Sequence, residues 1–378
     1  MPSIEAERGM QPAYRAAGVD TEKQDLALAS LIQRLRNTWT HRDHVGLDFG
    51  HFANFVDLGG TGVAISTDSV GTKAIVAQLM GDYYAVGIDC VAINVNDVLC
   101  LGAEPQSLVD YIAVQRIDSA MLDGIGRGLE EGARQANITI VGGEIAQLPE
   151  VLRGEEEGTG FDLVGTCIGM LDPDAAITGS RIEPGDVIVG LPSSGIHCNG
   201  LTLARKVFGI TRDENKEQKK RRLAEHFPEL GSTLGEELLK PTRIYVAEVM
   251  GMMKEGVDLR GLAHISGDGF LNLPRLEADV GYFIDALPQP HPIFHLIQAH
   301  GAVPDEEMYS VFNMGIGFCV VVPQRDAERA VGIAKSNGTE ASRIGYITDD
   351  PKRTVILHPV KDGPGLQGWR KKGFEGIR

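Results

Sequence analysis

The chain has 378 residues, more than the roughly 250 to 300 residues at which a single hydrophobic core stops growing. A hydrophobic fraction of 43% with 23% charged residues is ordinary for a globular protein and excludes a disordered or fibrous chain. The formal net charge of −16 argues against nucleic acid or an anionic membrane as partner and favours small-molecule chemistry.

No targeting or disulfide pattern is visible. No apolar run approaches the roughly 20 residues that a membrane-spanning helix needs, and Pro2, Glu5 and Arg8 replace the hydrophobic core of a signal peptide. The five cysteines are scattered and form no CxxC pair, which predicts buried reduced thiols and no zinc site. We therefore expect a cytoplasmic protein.

Helices and strands alternate in the first half. Apolar periodicity predicts a helix over 21–39 with a stripe that includes Leu28, Leu31, Ile32 and Leu35. The elements predicted next are a strand at 62–66, helices at 73–80 and 84–101, a strand at 107–114, a helix at 121–136, and strands at 138–141 and 161–171. The stretch 172–186 is rich in Pro, Gly and Asp, so we place a domain boundary near residue 173.

A second alternating series follows the boundary. The predicted helices are 199–208, 236–239, 242–254, 293–300 and 326–336, and the predicted strands are 187–191, 281–284, 317–322 and 354–357. The charged stretch 211–222 is a solvated loop or helix, and 361–378 is a basic, weakly patterned tail. The fold class is α+β, with domains at 1–173 and 174–360.

An acid and a lysine flank a glycine turn between the first strong strand and its helix. Asp68, Ser69, Gly71 and Thr72 precede Lys73, which opens the helix. Backbone N–H groups, a helix N-terminus and an ammonium suit phosphate oxygens, and the carboxylate suits the accompanying cation. The string is not a P-loop, because its threonine precedes the lysine. A capped turn with a surface lysine is an equally weighted alternative.

The next predicted helix is apolar except for three polar residues. Asp89 lies seven residues before Asn96 and eight before Asp97, so the helix presents all three on one face. Carboxylates in apolar surroundings are costly unless they are paired or bind a metal. This pattern favours a site for Mg²⁺ carried by ATP phosphates, while a solvent-facing position remains the alternative, more so for Asp89.

Three further turns contain candidate residues. Glu144 follows a predicted strand and Gly142-Gly143, where a turn can approach a ligand, although the signal is weak. The polar turn 193–200 contains His197, and the turn 263–270 contains His264. Such turns suit an anion, and histidines there suit proton transfer, although a loop histidine is usually structural.

These motifs resemble the phosphoribosylformylglycinamidine cyclo-ligase family over residues 14 to about 346. The acid-lysine turn and the Asn96-Asp97 pair are shared with a wider superfamily that includes selenophosphate synthetase and thiamine-phosphate kinase. The strings closest to the cyclo-ligase family are Ser-Ser-Gly-x-His-x-Asn-Gly at 193–200, Pro-Thr-Arg-Ile-Tyr at 241–245 and Met-Tyr-x-x-Phe-Asn-Met-Gly-Ile-Gly at 308–317.

The resemblance implies a homodimer whose first-domain sheets pair into a barrel, with ATP near that interface and the second domain closing over a phosphorylated substrate. The ATP-binding residues it implies are Asp68, Ser69, Gly71, Thr72, Lys73, Asp89, Asn96, Asp97 and Glu144. It implies Mg²⁺ ligation by Asp68, Asp89 and Asp97. The substrate-binding residues it implies are Ser193, Ser194, Gly195, His197, Asn199, Gly267 and Gly269. Catalytic roles fall to Lys73, His197 and His264.

The implied reaction closes formylglycinamidine ribonucleotide to 5-aminoimidazole ribonucleotide, through an iminophosphate, with release of ADP and phosphate. The alternatives are another ATP-dependent superfamily enzyme, kinase-like or dehydratase-like, or a non-catalytic nucleotide-binding paralogue. Selenophosphate synthetase is disfavoured, because residues 46–62 contain no cysteine. Two positions depart from the family pattern: the loop 46–51, which carries Asp48 and His51, and Asp268, which replaces a glycine.

Overall fold

The computed structural model describes residues 12–19, 21–41, 44–357 and 366–369. Strands up to Leu171 form one five-stranded sheet, and strands from Val187 onward form a separate seven-stranded sheet. The chain therefore has two mixed α/β units, as the sequence predicts. Within these ranges, no helix has the length and apolar character required to cross a bilayer.

Within the described residues, the first unit contains five α-helices and five strands. Its helices are α1 (Pro12–Ala16), α2 (Thr21–Arg36), α3 (Lys73–Met80), α4 (Tyr84–Leu99) and α5 (Ser119–Ala136). Its strands are β1 (Asn54–Asp57), β2 (Gly62–Ser69), β3 (Glu104–Val114), β4 (Thr139–Gln147) and β5 (Phe161–Leu171). The strand order is β1-β2-β5-β3-β4, and only β3 and β4 run parallel.

Helix α4 packs between the sheet and α5. Gly87 and Gly128 make the close helix contact possible: a Cβ atom on Gly128 would lie 2.0 Å from the carbonyl oxygen of Tyr84. A Cβ atom on Gly87 would lie 2.3 Å from the carbonyl oxygen of Ile125. The helix is consequently buried along most of its length, and Asp89, Asn94 and Asn96 lie inside the protein.

The opposite face of this sheet is apolar and exposed. Side chains alternate along a strand, so every second residue of β2, β3, β4 and β5 points away from α4. The exposed apolar residues that the register places on this face are Ile65, Val109, Tyr111, Ile168 and Met170. A continuous apolar surface of this kind is typical of a protein interface.

In the part of the chain that the structure describes, the second unit contains seven α-helices and nine strands. Its helices are α6 (Leu201–Val207), α7 (Lys216–Leu223), α8 (Leu234–Leu238), α9 (Val246–Lys254), α10 (Pro292–Gly301), α11 (Asp305–Val311) and α12 (Ala327–Ser336). Its strands are β6 (Val187–Pro192), β7 (His226–Phe227), β8 (Ser232–Thr233), β9 (Gly261–His264), β10 (Gly281–Ile284), β11 (Ile316–Val322), β12 (Ser342–Thr348), β13 (Val355–Leu357) and β14 (Leu366–Trp369). The large sheet has the order β14-β13-β10-β12-β6-β11-β9, and β7 and β8 form a separate hairpin.

Most of the predicted elements are confirmed, and α3, β5 and β10 have the predicted ends. Three predictions were wrong in detail. Strand β4 does not end at Gly142 but continues to Gln147, residues 242–245 precede α9 instead of opening it, and α2 ends at Arg36 before a 3₁₀ turn. The apolar stripe of α2 is mostly exposed, because only Ile32 among its described side chains is buried.

The ends of the chain are covered only in part. Four residues of the predicted tail form β14, an edge strand that pairs with β13. Residues 361–365 and 370–378, and the first eleven residues that we examined for a signal peptide, lie outside the described ranges.

Candidate active site

Two carboxylates and a histidine meet where the two units face each other. Asp68 lies near the end of β2, Asp97 in the last turn of α4, and His264 at the end of β9. The Nδ1 atom of His264 lies 2.8 Å from Oδ1 of Asp97, so the second unit contacts the acidic helix directly. Three of the residues singled out in the sequence are therefore neighbours in space.

Asp68 has an unusually high pKa. Enclosure by the surrounding protein and the negative charge of Asp97 raise the pKa of Asp68 from 3.8 to about 6, against the opposing effects of the Ser69 amide, His264 and Arg275. The enclosure of Asp68 is incomplete, because part of the residue still reaches solvent. The pair thus holds negative charge that the protein does not fully compensate, and a cation would relieve it.

Lys73 is completely buried, so the alternative of a surface lysine was wrong. Its Nζ atom lies 2.7 Å from Oδ2 of Asp89 and donates to the carbonyl oxygen of Lys240 at 2.6 Å. The other oxygen of Asp89 accepts from the backbone N–H of Thr242 at 2.7 Å. Lys73, which was predicted to bind phosphate, and Asp89, which was predicted to bind Mg²⁺, therefore bind each other. Both also contact a loop of the second unit.

Asn96 makes the same kind of contact two turns further along the same face of α4. Its side-chain amide donates to the carbonyl oxygen of Arg243 at 2.9 Å and accepts from the N–H of Tyr245 at 3.1 Å. Asn96 has no exposed surface. Asp97, by contrast, is partly exposed toward the space between the units.

The three predicted metal ligands do not form a preformed cage. Over the described ranges, no group of three or more His, Cys, Asp or Glu residues is close enough to hold a metal ion. Asp89 is occupied by Lys73 and Thr242, which leaves Asp68 and Asp97. Two carboxylates fit Mg²⁺, since this ion commonly takes one or two carboxylates together with water and substrate phosphates.

The start of α3 and the predicted nucleotide turn lie beside the second unit. Ser69 donates its backbone N–H to Asp68 at 2.7 Å, and Gly71 has a positive φ of 56°. The hydroxyl oxygen of Thr72 lies 3.1 Å from that of Thr202 at the start of α6.

Glu144 lies away from these residues: it is exposed within β4, the edge strand, and not in a turn. Of the two glycines before it, Gly143 serves packing, because a Cβ atom there would lie 2.6 Å from the Asp110 carboxylate, whereas a Cβ atom on Gly142 would meet nothing within 4 Å.

The hydroxyl groups of the 193–200 turn are used within the protein. Ser193 donates to Oδ1 of Asn313 at 3.0 Å, and the amide of Asn313 donates to the carbonyl oxygens of Gly195 and Ile196. Ser194 donates its hydroxyl to the carbonyl oxygen of Pro241 at 2.5 Å. The turn is therefore a rigid, hydrogen-bonded unit.

His197 is a neutral residue inside that turn. Its Nε2 accepts from the backbone N–H of Ser194 at 3.2 Å and of Arg243 at 3.4 Å, which places its proton on Nδ1. Burial, reinforced by His264 and nearby cations, holds its pKa well below the usual range. Nδ1 is buried without a partner, and the residue has a φ of 67°. These contacts suit a neutral acceptor more than a group that gains a proton.

The second glycine turn lies against the first. A Cβ atom on Gly267 would lie 3.0 Å from Oδ1 of Asn199. Gly269 has a φ of 54°, and a Cβ atom there would lie 2.1 Å from the carbonyl oxygen of Tyr309. The fold thus brings Asn199, Gly267 and Gly269, three of the predicted substrate-binding residues, together on one surface.

Arg275, which no sequence motif marks, supplies the local counter-charge with its guanidinium. It lies 5.1 Å above the ring of Phe52 and 3.4 Å from Oδ2 of Asp268, so the acid that departs from the family pattern is partly compensated. Burial and Arg275 lower the pKa of His51 to about 3, and both ring nitrogens of His51 are buried without a partner. An arginine in a short 3₁₀ helix gives no recognisable motif, whereas His51 was already visible in the altered loop.

Two family models match the chain. The description "AIR synthase related protein, N-terminal domain" covers residues 50–171, and "AIR synthase related protein, C-terminal domain" covers 183–358. The fold and the site thus define an AIR synthase related protein.

Full-length relatives narrow this class. The chain is 46% identical over 336 residues to the phosphoribosylformylglycinamidine cyclo-ligase of Methanothermobacter thermautotrophicus, covering 89% of this chain and 94% of that protein. It is 45% identical over 356 residues to the enzyme of that name from Thermococcus kodakarensis, covering 92% and 99%. The chain belongs to the phosphoribosylformylglycinamidine cyclo-ligase family and is an enzyme of that family.

More distant solved structures share the fold. A hydrogenase maturation protein HypE in complex with ATP has a TM-score of 0.56 at 20% identity, covering 84% of this chain and 87% of that one. Thiamine-monophosphate kinase from Stenotrophomonas maltophilia has a TM-score of 0.57 at 18% identity, covering 86% and 95%. PurL of T. maritima complexed with ATP has a TM-score of 0.54 at 16% identity, covering 84% and 45%.

Proposed function

We propose that the protein catalyses the ATP-dependent closure of formylglycinamidine ribonucleotide to 5-aminoimidazole ribonucleotide in purine biosynthesis. The observation that carries this proposal is near-full-length identity of 46% to a named cyclo-ligase. Asp68, Asp97 and His264 meet where the two units face each other, and this meeting point, the proposed active-site cleft, supports the proposal. Two distant neighbours of the same fold are complexes with ATP, which supports nucleotide use.

The formamide oxygen of the substrate is a poor leaving group, so the proposed chemistry begins by activating it. ATP transfers its γ-phosphoryl group to the formamide oxygen, which gives an iminophosphate and ADP. The amidine nitrogen on the ribose then attacks the formyl carbon, and the carbon–oxygen bond breaks with departure of phosphate. The protein must orient both partners, neutralise charge and exclude water from the intermediate.

We assign the nucleotide side of the cleft to the first unit. Asp68 and Asp97 would hold Mg²⁺, which supplies charge neutralisation when bound. The backbone of Ser69, Gly71 and Thr72, with the start of α3, would receive phosphate oxygens. His264, oriented by Asp97, is the proposed proton carrier, and the turns at 193–199 and 267–269 are the proposed substrate side.

We propose a homodimer formed through the exposed face of the five-stranded sheet. The five apolar residues that the register places on that face, Ile65, Val109, Tyr111, Ile168 and Met170, would be costly to leave in water, and pairing two such faces into a barrel covers them. Residues 1–173 would then form the nucleotide-binding and dimerisation domain, and 174–360 the domain that closes over the substrate. We place the enzyme in the cytoplasm.

The proposal is tested by ADP release from the purified protein with Mg-ATP, with and without formylglycinamidine ribonucleotide. A colour assay for aminoimidazole ribonucleotide is run on the same samples. ADP that depends on the substrate and matches the imidazole product in amount is the expected result. Binding of ATP with neither product would indicate a superfamily enzyme with another substrate or a nucleotide-binding paralogue.

A further inference from the structure

Residues 240–245, which we call the seam segment, lie between the two units and are held by side chains from both. The segment comprises Lys240, Pro241, Thr242, Arg243, Ile244 and Tyr245. Only its ends join the neighbouring helices: the N–H of Lys240 donates to Glu237, and the carbonyl oxygen of Tyr245 accepts from Val249 in α9. Its other backbone groups therefore need partners from elsewhere in the protein.

The first unit supplies those partners through Lys73, Asp89 and Asn96. Their polar atoms contact the carbonyl oxygens of Lys240 and Arg243 and the N–H groups of Thr242 and Tyr245, at 2.6 to 3.1 Å. Each contact goes to the backbone of the segment and not to a side chain. These hydrogen bonds therefore fix the backbone of the segment, as the hydrogen bonds of a neighbouring strand do in a sheet.

The second unit holds the other side of the same segment. Ser194 donates its hydroxyl to the carbonyl oxygen of Pro241, and Arg243 donates its N–H to His197. His197 also accepts from the N–H of Ser194, and the hydroxyl of Tyr245 donates to the carbonyl oxygen of Pro192 at 3.0 Å. The seam segment thus connects α4 to the turn that contains His197.

We infer that Lys73, Asp89 and Asn96 are positioning residues that set the seam segment, and through it the Ser194–His197 turn, relative to the Asp68–Asp97 pair. All three are completely buried, so a nucleotide cannot reach them while the segment is in place. Lys73 and Asp89 neutralise each other, and both ends of the Asn96 amide are used. Their polar groups therefore serve the alignment of the two halves of the site.

The test compares Asn96→Ala with Asn94→Ala. Asn94 lies on the same helix and is equally buried, but its amide donates to Cys90 and Asp68, both in the first unit. Amide hydrogen exchange is followed at Tyr245, which loses its acceptor directly. It is also followed at Ser194 and Arg243, whose acceptor His197 is untouched. The last two amides are the decisive reporters, and this readout does not depend on the proposed reaction.

In Asn96→Ala, we expect exchange at Ser194 and Arg243 to accelerate at least tenfold, with no change there in Asn94→Ala. Calorimetric binding of Mg-ATP should stay within threefold of the unchanged protein. In the ring-closure assay, kcat should fall at least tenfold while KM for ATP changes less than threefold. If the unchanged protein shows no ring closure, the proposed function fails and the exchange result still decides this inference.

Unchanged exchange at Ser194 and Arg243 would overturn the inference. So would a tenfold loss of Mg-ATP affinity with normal exchange, because Asn96 would then be a nucleotide ligand. If Asn96→Ala does not fold, Asn96→Ser makes the smaller change, and Ser194→Ala loosens the segment from the second unit. With Ser194→Ala, faster exchange at Thr242 and Arg243 supports the connection, and unchanged exchange contradicts it.

Discussion

His264 Nδ1 lies 2.8 Å from Asp97 Oδ1, and this contact joins the end of β9 to the last turn of α4 across the two units. Both residues are largely enclosed, with 3% and 16% of their side chains exposed. A hydrogen bond in such surroundings orients the imidazole and fixes which ring nitrogen faces the cleft. The pair is therefore expected to act as one unit.

A double-mutant cycle measures this coupling. Asp97→Asn and His264→Gln should each lower kcat/KM, and the double variant should be little worse than the more damaging single change. We expect a coupling free energy of about 0.5 to 3 kcal/mol. The exposed pair Asp123 and Arg127 on α5 is the control, and its cycle in unfolding free energy should give a value near zero. Additive effects at Asp97 and His264 would show that they act separately.

The pKa of Asp68, about 6, predicts acid sensitivity of nucleotide binding. Below pH 6 the carboxyl group is protonated and no longer attracts a cation. Affinity for Mg-ATP, measured by calorimetry at saturating Mg²⁺, should fall by up to roughly tenfold per pH unit between pH 6 and 5. In Asp68→Asn, binding should be weak at every pH and this acid limb should be absent. A limb that persists in the variant would assign the titration to another group.

The same pKa predicts the opposite trend for stability. Because the folded-state pKa is raised above the reference value of 3.8, the stabilisation from the bound proton is complete below that value and is lost as the pH rises through about 6. Asp68→Asn should therefore unfold at a higher temperature than the unchanged protein at pH 8, by about 1 kcal/mol or less at this exposed position. The gain should vanish near pH 4. A variant that is less stable at pH 8 would contradict the assignment.

Much of the fold could be predicted because local patterns decide it. Helix α3 begins at Lys73 directly after a glycine turn. Strands β5 and β10 are runs rich in strand-forming residues, and turn residues flank them. Strands β9 and β12 and helix α11 were missed, because short apolar runs without clear turn signals are ambiguous. The glycines at 142–143 were misread as a turn, whereas in the fold Gly143 makes room for Asp110.

The site was predicted in its residues more than in its contacts. Asp68, Asp97 and His264 were all named from the sequence, and the structure brings them together. The partners of Lys73 and Asn96 lie in residues 240–245, about 150 positions away, and spacing within one helix cannot reveal them. A buried polar group looks the same in the sequence whether it meets a phosphate or a distant backbone.

Replacing an apolar residue on the exposed sheet face should abolish the proposed dimer. Val109→Glu on β3 places a charge at the centre of that face, where a partner sheet would desolvate it. Light scattering coupled to size-exclusion chromatography should report a monomer for this variant and a dimer for the unchanged protein. Circular dichroism should be the same for both.

Val151→Glu is the matched control for this experiment. Val151 is 74% exposed and lies in the loop after β4, outside the sheet face. The same substitution there should leave the dimer intact. A dimer that survives Val109→Glu would place the interface elsewhere on the protein.

Gly269 is predicted to tolerate no side chain, and Gly256 provides the comparison. Both have a positive φ, of 54° and 71°, so alanine costs backbone strain of about 1 to 2 kcal/mol at either position. A Cβ atom at Gly256 meets nothing within 4 Å, whereas at Gly269 it would lie 2.1 Å from the carbonyl oxygen of Tyr309. Urea unfolding should therefore show a larger loss of stability for Gly269→Ala than for Gly256→Ala.

The turn at 264–269 shares the proposed substrate surface with Asn199. Gly269→Ala should therefore also raise KM for the ribonucleotide, while Gly256→Ala should leave it unchanged. Equal losses of stability would mean that the turn can move away from Tyr309, and the close approach would then have no role in shaping the site.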